Sequence, residues 1–158
     1  MDERSSMDEQ LLAWVERVAA FFARNNGLPL ITGRALGWLM VCDPPEQTAA
    51  QIAAAIGASK ASLSTAVRVL EASGFVRAVT RPAERGVHLR VVDDVWERVA
   101  RRKLEALGQF SEITAEGLEI LGDDPVRAER VRDAHRLFSW LEREIPPLFQ
   151  RYEEEDLS

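Results

Sequence analysis

Residues 48–74 constrain the fold more than any other part of the 158-residue chain, because start and stop signals for two short helices follow each other closely there. Residues 48–51 have the Thr-x-x-Gln spacing of a capping box, which predicts a first helix over residues 49–56. Gly57 ends this helix, and a second helix is predicted after a serine cap, over residues 60–73. A turn this short makes the two helices pack against each other.

The second helix has one apolar face and one face suited to nucleic acid. On a helical wheel Leu63, Val67 and Leu70 fall together and form the side expected to be buried. The other side carries short or hydrogen-bonding side chains and one long cation, namely Ala61, Ser62, Ser64, Thr65, Arg68 and Ala72. A helix that enters a DNA major groove needs this combination. At its N-terminus Ser59 and Lys60 are expected to contact a phosphate.

Two β-prone runs follow, over residues 76–80 and 87–92, and predict a hairpin. The order helix, turn, helix, hairpin is that of a winged helix-turn-helix. Arg81 and Arg85 flank the hairpin tip, where they are expected to reach an adjacent minor groove. The alternative is a solvated turn whose arginines pair with acidic neighbours. His88 alternates with apolar residues and is predicted to be a surface strand residue, not a ligand.

The charge distribution supports contact with a polyanion. Residues 48–90 carry six Lys or Arg against two Asp or Glu, although the whole chain has a net charge of −6. Residues 1–47 have four basic against seven acidic side chains, and residues 91–158 have ten against seventeen. A basic module between two acidic segments is expected if one face meets DNA and the rest does not.

Amphipathic helices are predicted on both sides of this module. Residues 7–24 and 32–41 form the first two, and Gly33 and Gly37 in the second allow a neighbouring helix to approach closely. After the hairpin, a helix is predicted to start near Asp94.

Gly108 and Gly117 are expected to bend or interrupt that helix. A last helix, from Pro125, has an apolar seam over residues 131–152 that is suited to another helix.

The chain is therefore predicted to be mainly α with a small β-hairpin wing, a winged helix-turn-helix module flanked by dimerisation helices. The expected parts are N-terminal supporting and dimerisation helices (residues 1–42), the DNA-binding module (43–92) and long C-terminal dimerisation helices with an acidic tail (93–158). Residues 1–6 and 153–158 are expected to be disordered. The flanking helices have more apolar surface than the module can cover, and a second copy of the chain is the simplest partner for it.

Several classes of function are excluded by what the sequence lacks. It has no run of about 18 apolar residues and no signal-peptide pattern, so we expect a cytoplasmic protein without a membrane partner. Cys42 is the single cysteine and there are two histidines, so neither a disulfide nor a metal site is expected, and Cys42 is interpreted as a small buried hydrophobe. No phosphate loop or nucleophile-base motif is present, so neither a cofactor nor enzymatic activity is expected.

Residues 21–29, 33–46 and 57–71 together resemble the MarR family of bacterial transcription regulators, and within it the GbsR-like branch most. The resemblance extends over about residues 10–150. It implies a homodimer whose two winged modules bind a pseudo-palindromic operator, with an effector pocket between the dimerisation and DNA-binding parts. By position it assigns Ser59, Lys60, Ser62, Ser64, Thr65 and Arg68 to the recognition helix and Arg81 and Arg85 to the wing. The family's Asp-Arg-Arg wing signature is replaced by residues 83–86.

The function predicted from the sequence is a sequence-specific, ligand-responsive repressor that binds double-stranded DNA. The alternative is a winged helix that serves as a protein-protein scaffold and binds no DNA. A small-molecule effector is a further expectation: Trp14, Trp38 and Trp96 are candidates for an aromatic cage around a quaternary ammonium compound, whereas the competing interpretation places these rings in the core.

Overall fold

Glycine, proline and side-chain caps divide the chain into helices and three short strands. A computed structural model describes residues 3–157. The elements are α1 (Glu3–Asn26), α2 (Leu30–Val41), β1 (Gln47–Thr48), α3 (Ala49–Ile56), α4 (Lys60–Ala72), β2 (Val76–Thr80), β3 (Val87–Val91), α5 (Val95–Leu121) and α6 (Pro125–Asp156). The mainly helical fold with a hairpin wing is as predicted.

The contacts separate into two compact units, one that ends at Val95 and one that begins at Trp96. The predicted division at residue 42 lies inside the first unit, because α2 packs on α1, α3 and α4. No helix within residues 3–157 combines the length and the apolar character that a membrane span requires.

The capping signals of the helix-turn-helix are confirmed. The Thr48 side chain accepts the Gln51 backbone N–H at 3.2 Å, and the Gln51 side-chain oxygen accepts the Thr48 backbone N–H at 2.8 Å. Gly57 follows α3 with a φ of 67°, a left-handed conformation that glycine adopts without strain. Ser59 caps α4 by accepting the Ser62 backbone N–H. Local side-chain chemistry therefore sets both ends of the turn.

The sheet contains one strand more than the sequence predicts. The strand order is β1-β3-β2, both pairings are antiparallel, and β1 places Gln47 opposite Leu89 and Thr48 opposite His88. Because β3 lies in the centre, the prediction that His88 is a surface residue is wrong: it is 6% exposed, while Val87 is 53% exposed. A strand of two residues is too short to show alternation, so β1 could not be predicted from periodicity.

The first unit buries its core between α1 and the helix-turn-helix. Val15, Ala19 and Phe22 of α1 are buried, and α1 packs along α2. The predicted close approach is confirmed at Gly33, where a Cβ would lie 2.7 Å from the Ala19 Cα, and at Gly37 beside Val18. Small residues at this crossing bring the two backbones together.

The second unit is an antiparallel pair of long helices. The Phe110 and Phe138 rings pack edge to face, with their centroids 4.8 Å apart. The Arg101 guanidinium lies 4.4 Å from the centre of the Phe149 ring and also binds Glu153. These contacts pair the start of α5 with the end of α6.

The expected interruption of the first long helix needs correction. Gly108 and Gly117 do not interrupt α5, which runs without a break from Val95 to Leu121, and the Gly108 position lies against the Glu142 backbone. The glycines therefore permit close packing of α6.

The ends of the chain are more ordered than predicted. Residues 3–6 and 153–156 are helical, not disordered, because each is a continuation of a long helix and Glu153 is bound by Arg101 at 2.6 Å. Residues 1, 2 and 158 lie outside the described part of the chain.

We predict that Gly33→Ala lowers the free energy of unfolding by about 1–3 kcal/mol, because the added methyl group meets the α1 backbone, which cannot move away cheaply. Gly117→Ala is the matched control: its Cβ would lie 3.4 Å from the nearest Val131 methyl group, and the gain in helix propensity should stabilise by about 0.5–1 kcal/mol. Denaturant titrations of both variants check this. Equal effects at the two glycines would contradict the close approach.

Candidate nucleic-acid interface

The predicted reading face of α4 is exposed to solvent. Leu63, Ala66 and Leu70 are fully buried, which orients the helix. The six residues predicted for the reading face, Ala61, Ser62, Ser64, Thr65, Arg68 and Ala72, are all exposed. Val67, predicted in the buried stripe, is half-buried. The structure thus brings the helical site residues together on one accessible surface.

Two cations of this surface are unpaired in the described part of the chain. Within residues 3–157, neither the Lys60 ammonium nor the Arg68 guanidinium forms an ion pair or a hydrogen bond. Lys60 lies in the first turn of α4 and Arg68 two turns further on. Both charges are therefore available to a polyanion.

The hydroxyl groups on α4 differ in what they can offer to DNA. The Ser59 hydroxyl caps the helix and donates to the Ser62 Oγ at 2.8 Å, so its own hydrogen is used inside the protein. The Ser62 hydroxyl hydrogen remains free to donate. Thr65 donates to the Ala61 carbonyl at 3.3 Å and keeps acceptor capacity, while Ser64 has no partner in the described chain. This face can both donate and accept.

Alanines on α3 leave the neighbouring flank of α4 open. A groove of about 670 Å³ lies between the two helices. Its lining residues are Ala49, Ala50, Ala53, Lys60, Leu63, Ser64, Val67, Arg68 and Glu71. Because the α3 side chains are so short, α4 stands out from the surface on this side. A projecting helix is the shape that fits a major groove.

The two wing arginines lie in different environments. The Arg81 Nε is 2.7 Å from the Glu46 Oε2, and its Nη1 is 3.6 Å from Glu84. The hydrogen bond and the charge of Glu46 raise the pKa of Arg81. Arg85 is exposed and has no partner within residues 3–157. The alternative of arginines paired with acidic neighbours thus describes Arg81 and not Arg85.

The buried His88 completes the wing. Its Nε2 lies 2.9 Å from the Glu84 Oε2, whereas its buried Nδ1 has no hydrogen-bond partner among residues 3–157. The tip is thereby tied to the central strand of the sheet.

The three tryptophans predicted for an aromatic cage lie in different local environments, and the cage stays a prediction. The Trp38 indole N–H donates to the Gln47 Oε1 at 2.8 Å, which ties α2 to β1. Trp14 is half-buried in α1, and Trp96, at the start of the second unit, is 39% exposed. Trp38 thus has a structural role. Among residues 3–157 no three His, Cys, Asp or Glu side chains are grouped so that they could hold a metal ion.

Comparisons with known proteins agree with this geometry. Residues 26–85 match a sequence model of the MarR family, and residues 94–155 match one described as MmpR5-like MarR family transcriptional regulator. The chain belongs to the MarR family. The first match includes the helix-turn-helix, and the second covers most of α5 and α6, so this MarR protein is a winged-helix DNA-binding transcription regulator and not an enzyme.

Two relatives extend over nearly the whole MarR chain. The HTH-type transcriptional regulator MmpR5 of Mycobacterium tuberculosis is 28% identical over 151 residues, which is 95% of this chain and 91% of that protein. A solved structure described as a transcriptional regulator is 29% identical, has a TM-score of 0.67 and covers 92% of this chain and 99% of its own. The placement in the GbsR-like branch stays a prediction.

One residue of the site could not be found by sequence reasoning. Glu46 lies 35 positions before Arg81, and no local pattern connects the two. Pairing of the wing arginines with acidic neighbours was one of the alternatives, but nothing in the sequence indicated Glu46 as the partner.

Cys42 is a buried thiol at the C-terminal end of α2. It is 8% exposed, its Sγ donates to the Leu39 carbonyl at 3.8 Å, and burial raises its pKa. A raised pKa leaves less thiolate at neutral pH, which opposes rapid oxidation. The interpretation of Cys42 as a small hydrophobe agrees with this position.

We predict that the native Cys42 reacts with Ellman's reagent at about pH 8 roughly ten times more slowly than the unfolded chain does, because burial disfavours the thiolate. The reaction rate of Cys42 should continue to rise with pH above the pH at which the reaction rate of glutathione becomes constant. Glutathione and the chain in denaturant serve as controls. A native rate equal to that of glutathione would contradict the assignment.

Proposed function

We propose that this protein is a homodimeric, ligand-responsive repressor that binds a pseudo-palindromic operator with one α4 helix in each of two successive major grooves. The observation that carries this proposal is the exposed face of α4, where Lys60 and Arg68 are unpaired within the described chain of an acidic protein. A surface that served solubility alone would have no reason to concentrate cations in this way.

The roles on α4 follow from the chemistry of each side chain. Lys60 and the first-turn backbone amides, held by the Ser59 cap, contact a phosphate. Arg68 has a guanidinium that can bind a guanine edge with two hydrogen bonds. Ser62, Ser64 and Thr65 contact neighbouring bases or phosphates. Arg85 at the wing tip enters the adjacent minor groove.

Dimerisation is supported by the apolar surface of the second unit. Ile113 is 60% exposed and Trp140 is 50% exposed, although both lie in long, well-formed helices. Further exposed apolar side chains on α5 and α6 are Leu107, Phe110, Ile120, Leu137, Leu148 and Tyr152. A second copy of the chain covers such a surface with the two-fold symmetry that a palindromic operator requires.

Repression follows if the bound dimer excludes RNA polymerase, and an effector would act by shifting the dimer away from the spacing that the operator needs. Selection of bound duplexes from a random pool, at two salt concentrations, tests the proposal. It should yield two inverted half-sites with centres about 34–36 Å apart. Absence of enrichment would favour a protein-protein scaffold.

We predict that Arg68→Ala weakens specific DNA binding by about 1–3 kcal/mol and relaxes the preference at one base pair of each half-site, because a bidentate base contact is lost. Gel-shift titrations with the selected operator and its single-base variants measure both effects.

Arg130→Ala is the matched control for Arg68, since Arg130 is also exposed and without a partner in the described chain but lies on α6. Its operator affinity should equal that of the wild type. Equal losses in the two variants would point to a general effect of charge and would discard the role of Arg68.

We predict that replacing both Leu137 and Trp140 by Glu converts the dimer into a monomer, since buried charges would have no partners at the interface. Light scattering coupled to size-exclusion chromatography measures the mass. The control is Gln150→Glu, which adds a charge at an exposed polar position of the same helix. A monomeric wild type would contradict the proposed assembly.

A further inference from the structure

Glu46 is a largely buried carboxylate that binds two arginines of the wing, Arg81 after β2 and Arg90 in β3. Its side chain is 12% exposed, and it lies just before β1, outside the hairpin. It accepts from the Arg81 Nε at 2.7 Å and from the Arg90 Nη1 at 3.5 Å. Arg90 also binds Asp93 at 2.6 Å, so Glu46 is not its main partner. The closest charge to Glu46 is therefore that of Arg81.

Arg81 links this carboxylate to the wing tip. It follows β2 directly, and its Nη1 lies 3.6 Å from Glu84. Glu84 in turn lies 2.9 Å from the Nε2 of the buried His88. A continuous series of polar contacts, Glu46 to Arg81 to Glu84 to His88, thus runs from the base of the sheet to the tip. Arg85 is the next residue along the tip and takes no part in it.

The Arg81 guanidinium is already neutralised by Glu46, so a DNA phosphate would meet a full positive charge there only by displacing that carboxylate. That exchange would leave the carboxylate in a site with little access to water, with Arg90 as its remaining partner, and an under-compensated buried charge is costly. The exposed Arg85 has no such partner in the described part of the chain. The two arginines, which the sequence places symmetrically about the tip, are therefore unequal donors to DNA.

We propose that Arg81 is a positioning residue, neutralised by Glu46, and that Arg85 is the one of the two tip arginines that enters the minor groove. Arg81 fixes the tip through Glu84, and the tip presents Arg85. This inference rests on the DNA binding given above and replaces the sequence-based expectation that both arginines contact DNA.

The dependence of operator affinity on salt separates the two roles. It is measured as the slope of the logarithm of the binding constant against the logarithm of the salt concentration, and each lost phosphate contact makes this slope shallower by about 0.9. Arg85→Ala should show that change for each wing. Arg81→Ala should lower the affinity at every salt concentration by a similar factor and leave the slope unchanged. Since the slope does not depend on the active fraction, partial misfolding does not mimic either result. If Arg81→Ala does not fold, Arg81→Gln provides the same comparison.

Glu46→Gln frees Arg81 and gives the opposite result. It should make the slope steeper by about 0.9 for each wing, since the released guanidinium now binds a phosphate. The same substitution in the Arg81→Ala background should change nothing. An equal increase in both backgrounds would show a general effect of removing a carboxylate, and a shallower slope for Arg81→Ala would show a direct contact. Either result overturns the proposal.

A measurement without DNA keeps this inference separate from the proposed function. Hydrogen exchange of the free protein should be faster in residues 81–86 for Glu46→Gln than for the wild type. Asp93→Asn, which removes the other partner of Arg90 and leaves Arg81 bound to Glu46, is the matched control and should not change the exchange of the tip. Unchanged exchange in Glu46→Gln would refute the positioning role even if the protein binds DNA, whereas failure of the wild type to bind any duplex would refute the proposed function instead.

Discussion

The burial of Leu63, Ala66 and Leu70 decides which side of α4 faces solvent, and the rest of the site depends on that choice. These residues pack the helix onto α2 and α3, and α2 is held against α1 by the close crossing at Gly33. With one face fixed in the core, the small and polar side chains have no place but the surface. Hydrophobic packing in the first unit thus orients groups that take no part in it.

Electrostatics then distinguish residues that look alike in the sequence. Arg68 and Arg81 are both arginines of the basic module, yet the first forms no ion pair within the described chain and the second is bound by Glu46. A count of charged residues along the sequence does not distinguish these two arginines. An arginine that is paired inside the protein can bind DNA fully only if that pair is broken. Breaking it costs more free energy when the carboxylate partner is buried, because the carboxylate is then left without compensation.

The elements that could be predicted are those with short-range signals. The capping box at Thr48, the left-handed Gly57 and the Ser59 cap act within three or four residues, so the bounds of α3 and α4 were accessible from the sequence, and so was the exposed face of α4. The two-residue strand β1, the burial of His88 and the pair of Glu46 with Arg81 arise from contacts between distant segments. No periodicity reports such contacts. Likewise, the extension of α6 to Asp156 reflects its packing along α5, which outweighs the acidic composition of its end.

Thr48 belongs to two elements at once. Its backbone pairs with His88 in the sheet, and its hydroxyl caps α3 on the next residues. No linker separates the strand from the helix, so a rigid-body shift of α3 carries the central strand of the wing with it. The helix-turn-helix and the wing are thereby coupled through one residue, so we expect the spacing between α4 and the wing to be preserved when the module moves as a whole.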